Sequence, residues 1–138
     1  MKKIRIYTAL PFLLMLSLLL STGCPSPEPK PSKRELLSKV WKVKEVLING
    51  TPDLATNYSS HRFEFKTDNS YRFVYPTDTD QGTWEMDSNE QNIIFDKGAS
   101  DQQNGRIMVL NESAFEFEVT IPANYKTGPQ TIVFKLIQ

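Results

Sequence analysis

Ala114-Phe115-Glu116-Phe117-Glu118-Val119-Thr120-Ile121 alternates apolar and polar side chains without a break. Successive side chains of a strand point to opposite faces, so Phe115, Phe117, Val119 and Ile121 share one face and Glu116, Glu118 and Thr120 the other. A strand divided in this way has a core on one side and water on the other.

The same two-residue period runs outward from it in both directions. Downstream, the polar loop Pro122 to Gln130 leads to a closing strand, Thr131 to Ile137, with Ile132, Phe134 and Leu136 facing in. Upstream, Asn111-Glu112-Ser113 is a tight connection to the strand Arg106 to Leu110, which carries apolar residues on both faces. Lys97 to Asn104 reads as a loop, Asn92 to Asp96 as a strand, Asp87 to Gln91 as a turn and Gly82 to Met86 as a further strand. Before the turn Pro76 to Gln81 comes a hairpin with one aromatic face. Its first arm sets Phe63 and Phe65 against Arg62, Glu64 and Lys66; after Thr67-Asp68-Asn69-Ser70, its second sets Tyr71, Phe73 and Tyr75 against Arg72 and Val74. The loop Thr51 to Ser60 separates this hairpin from a first strand, Val40 to Ile48, which ends at the turn dipeptide Asn49-Gly50.

Eight strands at this spacing predict an all-β, antiparallel fold. Short connections favour an up-and-down barrel over a Greek key, and closure would protect the edge strands; a β-sandwich is the alternative. Ser32-Lys33-Arg34-Glu35 has capping-box spacing and starts a short helix through Leu36 and Leu37. Two turns of helix need tertiary packing to persist, and a place across an open end of the β structure would supply it.

The N-terminal segment is of another kind. Lys2, Lys3 and Arg5 precede an apolar run from Ala9 to Leu20, interrupted only by Pro11 and Ser17, in the tripartite form of a secretory signal. The run is short of the roughly 20 residues that a spanning helix needs. Ser21-Thr22-Gly23-Cys24 resembles the lipobox of bacterial lipoproteins, with Ser21 standing where that family usually has an aliphatic residue. The resemblance implies cleavage before Cys24, the only cysteine of the chain, and its acylation. The expected product is anchored to a membrane of the cell envelope, the outer membrane on its periplasmic or surface side, because each buried CH2 contributes about 0.8 kcal/mol. An ordinary cleaved signal with a thiol left near the new N-terminus is the alternative. Prolines at 25, 27, 29 and 31 make residues 24–31 an extended spacer of about 3 Å per residue. Residues 1–23 are then the signal, 24–31 the linker and 32–138 the β domain.

Removing residues 1–23 turns 16 cationic and 16 anionic side chains into 13 against 16. Such mild acidity gives no basic face for nucleic acid. The remaining 115 residues suffice for one core and contain no second cysteine for an internal disulfide.

Three phrases carry a further resemblance: Leu36 to Val43, in which Trp41 opens the first strand; Phe63 to Tyr71; and Gly82-Thr83-Trp84-Glu85. Together they resemble the lipocalin-like domains of small bacterial lipoproteins over most of residues 33–138. That resemblance implies a small barrel and, in its ligand-carrying members, an apolar binding site. The glycine that precedes the first-strand Trp in true lipocalins is absent at Lys39.

No catalytic constellation is visible, and an enzyme is not expected. His61, the single histidine, has no His or Cys partner and reads as a surface or strand-end residue rather than a metal ligand. Asp78, Asp80, Asp96 and Asp101 lack the ordered spacing of a calcium loop and read as turn residues. Neither cofactor nor metal is expected. The candidate functional residues are therefore the inward aromatics: Phe63, Phe65, Tyr71, Phe73, Tyr75, Trp84, Phe115, Phe117 and Phe134. They either line a pocket for a small hydrophobic ligand, its mouth edged by Thr51 to Ser60 and Pro122 to Gln130, or fill the barrel and leave its surface to contact another envelope protein. An eight-stranded barrel is wide enough for either, and so many large rings favour filling.

If the anchor is as read, Cys24→Ala moves the protein from the membrane fraction to the soluble fraction; unchanged sedimentation with membranes would refute acylation at Cys24.

Overall fold

A computed structural model describes residues 29–123 and 128–138. The expected signal, Cys24 and the first part of the prolyl spacer lie outside the described residues. Among the described residues no helix is long and apolar enough to cross a membrane.

Helix α1 (Lys33–Leu37) begins at the expected capping box. The Ser32 backbone N–H donates to Glu35 Oε2 at 2.7 Å, and the Glu35 N–H donates back to Ser32 Oγ at 3.2 Å. Donation from the Ser32 backbone N–H first, and from the Ser32 hydroxyl at 2.8 Å second, holds the exposed Glu35 carboxyl below the usual carboxylate range. Five residues are too few for a stable isolated helix, and contacts beyond the helix hold it. Leu37 is fully buried, and its carbonyl accepts from Trp41 Nε1 at 3.0 Å.

Nine strands follow among the described residues: β1 (Val40–Ile48), β2 (Thr51–Pro52), β3 (Arg62–Phe65), β4 (Ser70–Val74), β5 (Thr79–Met86), β6 (Asn92–Phe95), β7 (Gln103–Leu110), β8 (Ala114–Ile121) and β9 (Gln130–Ile137). Apart from β2, each pairs antiparallel with the next, and β9 returns to β1 through pairs such as Val43 with Leu136 and Val46 with Phe134. That seam closes the expected eight-stranded up-and-down barrel and excludes the sandwich.

The differences from the sequence reading are local. Asn49 and Gly50, at φ 51° and 81°, make a two-residue turn. It pairs Ile48 with Thr51, so the expected loop Thr51 to Ser60 opens with β2. β5 starts at Thr79 and β7 at Gln103, several residues before their apolar stretches, because backbone pairing does not require apolar side chains. Tyr75 lies just past β4, its N–H donating to the Asp78 carbonyl at 2.9 Å in the turn. Bulges between Val43 and Glu45 in β1 and between Ile107 and Val109 in β7 insert Lys44 and Met108. The second accounts for the apolar residues expected on both faces of β7: the alternation is broken at Met108, which is exposed.

Even-numbered crossings place α1 and the turns β3–β4, β5–β6 and β7–β8 at one end of the barrel. Lys33 Nζ donates to the Glu90 carbonyl at 2.7 Å, Arg34 donates to the Asn69 side chain, and the Arg34 guanidinium lies 5.2 Å above the Trp84 ring. The helix thereby plugs that end, as expected. Beneath it Trp41, Trp84, Ile93, Phe115 and Leu136 are 1% exposed or less. Gly105 makes this packing feasible, since a Cβ there would stand 2.9 Å from Ile93 Cγ2 and 3.0 Å from Phe117 Cδ2.

Gly105→Ala should therefore cost about 1–3 kcal/mol, read as a lowered urea midpoint, and Phe115→Ala about 3–5 kcal/mol. Wild-type midpoints in both variants would contradict a filled closed end.

Candidate functional site

The opposite end is hollow. A cavity of about 190 Å³ opens there, and register explains its walls. Pairing of Phe63 with Phe73 and Phe65 with Tyr71 sets one row of rings facing in across β3 and β4, and pairing of Phe117 with Phe134 and Val119 with Ile132 sets another across β8 and β9. The rows meet edge to face, with Phe63 5.5 Å from Phe117 and 5.4 Å from Phe134 between ring centroids.

Six of the nine aromatics expected at the site line the cavity: Phe63, Tyr71, Phe73, Tyr75, Phe117 and Phe134. Phe65, Trp84 and Phe115 do not; they pack together in the closed half, with Phe65 5.7 Å from Trp84 and 6.0 Å from Phe115. Trp84 Nε1 donates to the Lys66 carbonyl at 3.1 Å, which satisfies a buried indole that would otherwise be unpaired. Neither the loop Thr51 to Ser60 nor the described part of the loop Pro122 to Gln130 contributes to the lining.

The sequence reading did not assign Asp80, Phe95, Gln103, Val119, Ile121 and Ile132 to this wall. The signal for Phe95 is its two-residue spacing from Ile93, which puts both on the inward face of β6. Asp80 stands directly opposite the inward Phe73, and Gln103 opposite the inward Phe95. Asp80 falls in the expected turn Pro76 to Gln81 and Gln103 in the expected loop Lys97 to Asn104, because β5 and β7 extend further than their apolar residues.

Asp96 is more than the turn residue it was read as. Its Oδ1 accepts from the Thr83 N–H at 2.8 Å and its Oδ2 from the Tyr71 hydroxyl at 2.9 Å. A Cβ at Gly82 would coincide with this carboxylate, so Gly82 leaves the space in which Asp96 reaches Tyr71. Burial, then the Asp96 hydrogen bond and the nearby carboxylates, push the Tyr71 phenol well above its ordinary value. Tyr75 is raised as well, by burial first and then by Asp80 and Asp78.

His61 is at a strand end, as expected, but it is buried and not on the surface. Tyr58 and Tyr75 meet its ring edge-on at 5.1 and 5.8 Å, with Phe73 at 6.1 Å, and its Nδ1 has no hydrogen-bond partner among the described residues. Tyr58 is fixed in turn by donating to Asp53 Oδ2 at 2.7 Å. Among the described residues no group of three or more His, Cys, Asp or Glu side chains is placed to hold a metal ion.

A closed antiparallel barrel, plugged at one end and hollow at the other, defines a small calyx-shaped β-barrel protein. The lipocalin-like domain family matches residues 37–117, more than half of the chain, and the chain belongs to that family. No curated protein matches its sequence.

The raised phenols give a pH dependence with a defined sign. A phenol whose folded pKa exceeds its unfolded value of 10.0 favours folding in its neutral form. That contribution is complete below the unfolded value and is lost as pH rises toward the folded one. Ultraviolet titration should find Tyr71 ionising after exposed tyrosines, and Tyr71→Phe should flatten the alkaline fall in stability. Simultaneous ionisation of all tyrosines near pH 10 would contradict the packing described.

Proposed function

We propose that this protein is a non-enzymatic binding module of the bacterial cell envelope, which takes a small apolar molecule into the open end of its barrel. The observation that carries the reading is the cavity of about 190 Å³ walled by aromatic and aliphatic side chains. An engineered apolar cavity of roughly 150 Å³ holds benzene, so this one suits a single ring with a short substituent. Rings such as Phe73 and Phe134, only half-buried at the mouth, have apolar surface left for a ligand to cover.

The packed half serves stability, and Phe65, Trp84 and Phe115 act there and not as ligand contacts. Cys24, acylated, would tether the domain through the prolyl spacer. Helix α1, with which the described β domain begins, lies at the plugged end of the barrel, opposite the mouth. The envelope location rests on the N-terminal sequence alone.

Full-length protein purified in detergent, titrated calorimetrically with toluene and 2-phenylethanol against empty-micelle blanks, should bind one equivalent. Ile132→Trp, which fills the mouth, should abolish the heat while circular dichroism stays that of the folded barrel. Absence of binding to the wild type would refute the pocket and favour a filled barrel that contacts an envelope protein.

A further inference from the structure

We infer that the cavity selects ligands whose apolar ring or short chain ends in a cationic amine, with Asp80 as the recognising carboxylate. The inference rests on the reading above that the cavity holds a small apolar molecule, and specifies its polar end.

Asp80 faces inward by register, across from Phe73, and is the one charged side chain among the described residues of the cavity wall. The polar groups near it are differently placed to meet a ligand. The Tyr71 hydroxyl is engaged by Asp96. Among the described residues Asp80 itself accepts a single bond, from the Gln81 N–H at 3.1 Å. A carboxylate has about four acceptor positions, so most of its capacity remains for a donor on the ligand.

Just outside, Tyr71, Asp80 and Gln103 also border a second cleft of about 440 Å³, to which Asp96 and Asp101 add two more carboxylates. No lysine or arginine occurs among the described residues lining either space. A molecule with its ring among Phe63, Phe73 and Phe134 would therefore present its other end to a region of one sign of charge.

Chemistry separates three kinds of head group there. An anion meets like charge, a neutral hydroxyl gains an ordinary hydrogen bond, and an ammonium gains a charge-assisted one, roughly twice as strong. The ammonium is also attracted by the negative faces of Phe73 and Tyr75, whose centroids are 4.4 Å apart. The same carboxylate already acts on Tyr75, where it helps keep the phenol neutral. Because Asp80 is exposed at the rim, its attraction is moderated by water and by salt.

The test compares 2-phenylethylamine, 2-phenylethanol and phenylacetate, which share a ring and differ in head charge at pH 7. Calorimetric titration of the full-length protein in detergent should rank them amine, alcohol, carboxylate, with the amine about tenfold tighter than the alcohol at low salt. Raising salt, or Asp80→Asn, should bring the ratio of amine to alcohol affinity toward one. Equal affinities for the three, or a preference for the amine that persists in Asp80→Asn, would overturn the inference while leaving an apolar binding site in place. Failure of all three to bind would overturn the binding site and the inference together.

Discussion

β1 and β9 exchange backbone hydrogen bonds along the registers Lys42 to Ile48 and Ile132 to Ile137, and the rest of the barrel depends on that seam. Without it the sheet would be open, with β9 and much of β1 presenting unpaired N–H and C=O groups to solvent or to another chain. The seam is reinforced where the chain turns away: Asn49 Oδ1 accepts from the Thr131 N–H at 2.9 Å, and the Asn49 N–H donates to the Thr131 carbonyl at 2.8 Å. Closure also fixes the interior. Once eight strands form a ring, the space inside has nearly constant width, and the size of the inward side chains decides where it is full.

Those side chains are unevenly distributed along the axis. Toward α1 two indoles, Trp41 and Trp84, share the bore with Phe65, Phe115 and Leu136, and each indole N–H reaches a backbone carbonyl. A satisfied donor makes an indole an inexpensive space-filler. Toward the mouth the inward residues are phenylalanines, tyrosines and β-branched aliphatics, with Asp80 and Gln103 on one wall, and they leave a cavity. One barrel thus has a stabilising half and a hollow half, and the alternatives of filled core and pocket each describe one end of it.

Much of this was legible in the chain. Alternation in 114–121 and in the hairpin from Phe63 to Tyr75 identified inward faces, and short connections identified the meander. The capping box at Ser32 to Glu35 located α1. The bulges at Lys44 and Met108 were hidden, because a bulge answers to the partner strand and leaves no compositional mark. So were the first residues of β5 and β7: Thr79 to Gln81 read as turn and Gln103 and Asn104 as loop, yet they pair because their neighbours offer hydrogen bonds. For the same reason the two polar members of the wall, Asp80 and Gln103, were missed, whereas six of its aromatics were found.

By itself the sequence determined the periodicity, hence an all-β meander with one aromatic face, together with a charged-then-apolar N-terminal string that ends at Cys24. These are local properties: spacing sets which side of a strand a residue occupies, and short motifs are read as linear strings. Only the tertiary structure decided closure, which aromatics fill and which line, and that Asp80 shares a wall with them. Each of those depends on how high along the barrel axis a residue stands, and register between strands far apart in the chain sets that height.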